Sequence, residues 1–184
     1  VETREIVDEL NQWFAQASVK GGEFIQGIDF LTFSGRGEPT LAKNLGEMIS
    51  QARRIKQHKI AVITNSTLLH LKEVQNDLKE CDYVLAKLDA CNESLFDEID
   101  KAAKGLSLQR TINGIKSFRM NFSGRMALRI MFVEENLMFA KDLADLARDI
   151  DADEIQINTP LRPSASKALN RYDLEFIKRY FDGL

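Results

Sequence analysis

Apolar runs of strand length alternate with amphipathic helical stretches along almost all of this chain. That alternation limits the possible folds more than any other feature. Strand-like runs lie near 27–33, 60–64, 83–89, 126–133 and 154–158. Between and after them, residues 41–56, 68–80, 108–121, 137–149 and 172–182 read as helices. Residues 2–18 make a further helix with Ile6, Leu10, Trp13 and Phe14 on one face, ended by Lys20-Gly21-Gly22. Residues 92–107 read as a short helix and a polar loop, and Asp173 or a residue just before it caps the last helix. Such alternation predicts an α/β fold with a parallel sheet and right-handed crossovers. The strands are mostly apolar rather than alternating, the pattern expected where both faces of a sheet are covered. Periodicity alone leaves three architectures open: a partial barrel, an open Rossmann-like sheet, and part of a complete (β/α)8 barrel.

Composition removes several function classes. At 184 residues the chain can bury the core of one domain. A net charge of -3 argues against a general nucleic-acid binder. It leaves room for a local basic patch from Lys101, Lys104, Arg110, Lys116 and Arg119. Two isolated cysteines, Cys81 and Cys91, make no disulfide framework, which fits a reducing compartment and a cytoplasmic location. Cys91 reads as a small apolar filler. His58 and His70 have no metal-ligand spacing with acids or cysteines. No apolar run approaches membrane-spanning length.

The segment Phe33-Ser34-Gly35-Arg36-Gly37-Glu38-Pro39-Thr40-Leu41 follows a strand and precedes a helix. It puts a carboxylate and two glycines at a strand's carboxyl end, where α/β sheets keep their ligand chemistry. The glycines admit close approach of a ligand to the backbone. Pro39 holds Glu38 extended. A fixed carboxylate beside open backbone groups suits an ammonium. The alternative is a surface turn with Glu38 favoured by a helix dipole. Gly35-x-Gly37-x-x-Thr40 lacks the third glycine of a dinucleotide fingerprint and the Gly-Lys-Ser/Thr of a P-loop.

Ser34-Gly35-x-Gly37-Glu38-Pro39-Thr40-Leu41 resembles the GGEP-type motif of the radical S-adenosylmethionine enzymes. The order of later segments is similar to that family too. Ile60-Ala61-Val62-Ile63-Thr64-Asn65, Val84-Leu85-Ala86-Lys87-Leu88-Asp89-Ala90, Ala127 to Val133, and Ile155-Gln156-Ile157-Asn158-Thr159-Pro160 resemble its third to sixth strands. The nearest branch is the one that includes the wyosine-type tRNA-modifying iron–sulfur oxidoreductases. The resemblance implies a partial (β/α)6 TIM-like barrel with its first strand missing, and a single truncated core domain over 1–184. It also implies S-adenosylmethionine as cofactor, a [4Fe–4S] cluster, and cleavage to a 5′-deoxyadenosyl radical.

One departure stands out. The family's C-x3-C-x2-C cluster loop is absent, so no metal ligand is expected within this chain. Either the loop lies upstream and the chain alone is inactive, or the cluster has been lost. In the second case the chain is a binding or interaction protein, or a non-radical barrel enzyme using Glu38, Lys87 and Asp89. The resemblance assigns the cofactor to Ser34, Gly35, Gly37, Glu38, Pro39, Asn65, Asp89, Arg129, Asn158 and Thr159. In that scheme the ammonium lies at Glu38, the ribose at Asp89 or Asn65, and the adenine at Asn158-Thr159. Substrate contacts are expected from Lys87, Glu134 and Arg162, and Asn136 is expected near the same opening.

Alternatives remain for individual residues. Asn65 is equally suited to capping the next turn. Lys87 and Asp89 are suited to a structural ion pair. Arg129 fits either an interior ion pair or the cofactor carboxylate. The expected partners are an electron donor and a substrate that could be tRNA or protein. With its neighbouring strand absent, the 27–33 strand is expected at a sheet edge and prone to self-association.

Overall fold

Five strands form one all-parallel sheet in the order β1-β2-β3-β4-β5. They are β1 (Phe30–Phe33), β2 (Lys59–Thr64), β3 (Tyr83–Lys87), β4 (Arg125–Met131) and β5 (Glu154–Asn158). The helices are α1 (Thr3–Val19), α2 (Leu45–Ile55), α3 (Lys72–Asp77), α4 (Glu93–Ile99), α5 (Leu108–Asn121), α6 (Ala140–Ile150) and α7 (Arg171–Lys178). The computed structural model describes residues 2–19, 27–35, 37–55, 58–161 and 166–184. The strand order decides the architecture. A Rossmann-like sheet reverses its order at a switch point, whereas strands that follow one another in sequence belong to a barrel-type winding. Here the order never reverses, and the sheet is not closed.

Register shows which side chains share a face. Ala61 pairs with Tyr83, Leu85 with Ala127, Lys87 with Arg129, and Arg129 with Gln156. One face therefore carries Ile60, Val62, Val84, Ala86, Met126, Leu128 and Ile130, all in the hydrophobic core with α2, α5 and α6. The other carries Thr32, Ala61, Tyr83, Lys87, Arg129 and Gln156. The expectation of strands covered on both faces is corrected: the core forms on one face only. The open face keeps an apolar floor of Ala61, Leu85 and Ala127, all nearly inaccessible, and this is why the sequence pattern looked two-sided.

Several boundaries also move. Residues 27–29 lie outside β1, and β3 ends at Lys87 rather than Asp89. Helix α2 begins at Leu45 because Glu38 and Pro39 impose a separate short turn over Pro39–Leu41. Residues 67–71 are turn, not helix, so α3 starts at Lys72, and a 3-10 turn over Leu78–Glu80 follows it. Asn170 caps α7, accepting from the Tyr172 and Asp173 amides while Asp173 reaches back. The glycines near 21 lie outside the described residues. As expected, β1 pairs with β2 alone, which leaves its other edge unpaired among the described residues.

Candidate functional site

The loops after the strands meet at one edge of the sheet, and the sequence-expected residues gather there. Glu38 leaves β1's loop in an extended conformation, φ -82° and ψ 118°. Its Oε1 accepts from the Thr40 N–H at 3.1 Å, the Thr40 hydroxyl at 2.7 Å and the Thr64 hydroxyl at 2.6 Å. Its Oε2 accepts from the Asn65 N–H at 2.7 Å. The carboxylate thus clamps the β1 loop to the end of β2. Oε1 is filled, while Oε2 can accept one more donor. A Cβ at Gly35 or Gly37 would meet nothing within 4 Å, so these glycines border open space. Beside them, the unpaired edge of β1 borders an apolar groove of about 770 Å³ that includes Ile6, Leu10, Trp13, Leu31 and Phe33.

The Asn65 Oδ1 accepts from the Thr67 N–H and hydroxyl, at 3.1 and 2.7 Å, so its side chain shapes the turn. Its amide NH2 group has no partner among the described residues. Ser66 is fully buried with φ of 70°, a strained value for a residue with a side chain. Its hydroxyl donates to the Lys87 carbonyl at 2.8 Å, tying β2 to β3.

Lys87 sits between two acids. Its ammonium donates to Asp100 and lies 3.0 Å from the Asp89 Oδ2. The buried Oδ2 has this ion pair as its contact. The Asp89 Oδ1 accepts from the Met131 N–H at 2.9 Å. Burial pushes the Asp89 carboxyl above the ordinary carboxylate range, against the pull of Lys87 and the Met131 N–H. Burial pulls the Lys87 ammonium down, but Asp89 and Asp100 outweigh it and hold Lys87 above the ordinary lysine range. Asp100 serves as counter-ion whichever state Asp89 holds. With 1 % exposure, Asp89 must move before it can touch a ribose.

Arg129 lies on the open face and has no hydrogen bond or ion pair among the described residues, so the ion-pair alternative is not met. Asn136 is fully buried and does not line an opening. It accepts from the Val133 N–H and donates to the carbonyls of Asp89 and Met131, bracing the ends of β3 and β4. Glu134 is exposed, 3.7 Å from Lys167. The Asn158 carbonyl accepts from the Phe132 N–H at 2.7 Å, and its side chain is exposed at the strand end. The Thr159 hydroxyl accepts from the Leu169 N–H at 2.8 Å. Arg162 and Arg36 lie outside the described residues. The suggested basic patch is depleted, because Lys116 pairs with Asp149 and Arg119 with Asp153. Sequence reasoning missed Asp100 and the two threonines that hold Glu38. The need of Lys87 for a counter-ion was the one available signal for Asp100.

No three potential metal ligands come together among the described residues. Cys81 precedes β3 and Cys91 follows it. At about 3.3 Å per residue they stand near opposite edges of the sheet, too far apart to share a cluster. Burial pushes the Cys81 thiol up to about 12, and burial with Asp142 raises Cys91. Neither is a ready thiolate ligand.

Sequentially wound parallel strands, with a glycine–carboxylate loop at their carboxyl edge, define a barrel-type α/β protein, a class whose ligand sites lie at that edge. The model of the Radical SAM superfamily matches residues 8–149, and the chain belongs to that superfamily. It is 33% identical over 163 residues to a protein named GTPase Obg from Brachyspira hyodysenteriae, covering 85% of this chain and 24% of that one. It is 32% identical over 158 residues to a UPF0026 protein from Methanocaldococcus jannaschii, covering 83% of this chain and 48% of that one. The chain thus spans between a quarter and half the length of these curated relatives. The structure of TYW1 with a lysine-pyruvate adduct bound matches with a TM-score of 0.72 and 13% identity, covering 99% of this chain and 63% of that one. That match supports the fold. No helix among the described residues is long and apolar enough to cross a membrane.

Proposed function

We propose that this chain is the cofactor-binding core of a radical S-adenosylmethionine enzyme whose [4Fe–4S] ligands lie outside these 184 residues. The observation that carries the proposal is the loop at the carboxyl end of β1. Gly35 and Gly37 face open space beside a carboxylate that four hydrogen bonds hold still. The residues present fit the cofactor but not the cluster. Backbone groups of Ser34, Gly35 and Gly37 and the remaining lone pair of the Glu38 Oε2 would receive the methionyl ammonium, with Pro39 fixing the loop. The Asn65 amide and, after local movement, Asp89 would receive the ribose. Asn158 and Thr159 would receive the adenine. When bound and reduced, this cofactor supplies the radical that takes hydrogen from a substrate. The protein's part is to orient it and exclude water.

The non-radical alternative loses support, because Lys87 is held charged and Asp89 is buried, a poor arrangement for acid–base work. The same pairing makes Lys87 a weak nucleophile, so the lysine-pyruvate adduct of TYW1 is not carried over. We place the protein in the cytoplasm, with an electron donor as partner and a substrate drawn from tRNA, protein or a small molecule. The test uses the longer polypeptide that carries the cluster. Glu38→Ala and Asp89→Ala should each weaken S-adenosylmethionine binding and its reductive cleavage. Unchanged affinity and cleavage in both would remove the site assignment. Anaerobic reconstitution of the 184 residues alone with iron and sulfide should give no stable cluster.

A further inference from the structure

We propose that Lys87 and Arg129, side by side on the open face of the sheet, form an oxyanion subsite for the substrate, which therefore carries a carboxylate or a phosphate. The two residues are register partners on β3 and β4. Their sequence neighbours Ala86, Leu128 and Ile130 are buried in the helix-covered core, so the alternation of the strands sends both cations to the open side. Like charges directly opposite on neighbouring strands destabilise a sheet unless something between them offsets the repulsion.

Lys87 has its own counter-ions in Asp89 and Asp100. Arg129 has none. The carboxylates on the neighbouring strand and on the β1 loop have other partners. Glu154 pairs with Arg125 at 3.1 Å and accepts from the Gln156 amide at 2.7 Å. Gln156, the register partner of Arg129 on β5, also donates to the Tyr83 hydroxyl at 3.0 Å. Glu38 is held by Thr40, Thr64 and Asn65 and makes no hydrogen bond or ion pair with Arg129. A half-buried guanidinium with five N–H donors and no protein acceptor among the described residues keeps those donors available to a ligand. Its planar fork matches carboxylate and phosphate oxygens in pairs. Lys87 adds a donor, since its ammonium has three N–H groups and two acids, Asp89 and Asp100, beside it.

Assigning the anion to substrate rather than cofactor rests on the proposed site for the methionyl ammonium, at the β1 loop. The cofactor's amino and carboxylate groups sit on one carbon. Strands β1 and β4 are three spacings apart, roughly 14 Å along the sheet. That separation favours the β1 side for the carboxylate of a cofactor held at Glu38, and leaves Arg129 to another molecule.

The test uses this chain and three probes: inorganic phosphate, pyruvate and S-adenosylhomocysteine. Binding is followed by the Arg129 Nε–H resonance and by calorimetry. Phosphate and pyruvate should bind saturably, and their relative affinities identify the preferred oxyanion. Arg129→Gln should weaken both by about tenfold or more, and Arg129→Lys should restore only part of it. Arg125→Gln, on the same strand and face, should leave both unchanged. S-adenosylhomocysteine should neither displace the anions nor bind differently to Arg129→Gln. Absence of saturable anion binding, or equal binding to Arg129→Gln, overturns the subsite. Displacement by S-adenosylhomocysteine, with its own affinity falling in Arg129→Gln, overturns it in favour of the cofactor carboxylate. If S-adenosylhomocysteine fails to bind while the anions still bind through Arg129, the β1-loop reading fails and the subsite stands.

Discussion

Along β4, Met126, Leu128 and Ile130 project into a core packed by helices, while Ala127, Arg129 and Met131 project to a face that no helix of the core covers. Adjacent residues of one strand therefore answer to different physics. On the first face, each side chain is held by apolar area removed from water and by close packing. On the second, an apolar floor at mid-sheet gives way to charges and amides near the carboxyl edge. Stability thus depends mainly on one side, which frees the other to hold groups that packing alone would not select. Such a division lets a sheet present Lys87 and Arg129 in fixed positions without unfolding itself.

The sharpest way to break this comparison is to truncate neighbours on opposite faces. Leu128→Ala should cost about 3 kcal/mol in urea unfolding, because a fully buried side chain leaves a cavity. A loss under about 1 kcal/mol would mean that the core is not where the division puts it. Next in size is Glu38→Ala, expected to cost about 2 kcal/mol with no cofactor present, since it releases the clamp between the β1 loop and β2. No loss of stability would leave Glu38 with a ligand role alone. The β1 edge offers a third test. The chain should dimerise with rising concentration in sedimentation, and Thr32→Lys, a charge on the unpaired edge, should suppress it. A monomer at high concentration would mean that the edge is protected.

A fourth test contrasts the two ends of β3 by pH. Burial opposes ionisation of Asp82, but the Ile60 N–H and Arg53 outweigh it and lower its pKa. Its contribution is present above the ordinary aspartate range near 3.9 and is lost as pH falls through its depressed folded value. Lys87, raised in the fold, contributes fully below about 10.4, and that is lost as pH rises through its folded value. Asp82→Asn should flatten the acid limb only, and Lys87→Met the alkaline limb only. The smallest effect is expected at Arg129. Arg129→Gln should change stability by less than about 0.5 kcal/mol, because no partner is lost. A larger loss would show that the guanidinium has a structural role.

Much of the architecture was legible in the sequence because it depends on local pattern. Apolar runs at strand length, broken by amphipathic stretches, placed all five strands and implied parallel pairing. The GGEP-like loop was legible because glycine, proline and a carboxylate constrain the backbone whatever surrounds them. The cluster motif's absence was equally plain, since it needs only a count of cysteines. The boundaries at Leu45 and Lys72 were not, because side-chain capping by Glu38 and Asn65 competes with helix propensity there.

What the sequence by itself determined is the set of elements, their parallel kind and the identity of the turn before α2. Near neighbours and residue type decide these. Only the tertiary structure decided that the strand order never reverses, that the helices of the core cover one face, and which charges meet. Asp100 reaches Lys87 across 13 positions, and Thr64 reaches Glu38 across 26. Lys87 and Arg129 become neighbours only through strand register. Such contacts depend on how distant segments stack, and the same residues in another register would have paired Arg129 with an acid or buried it among the helices.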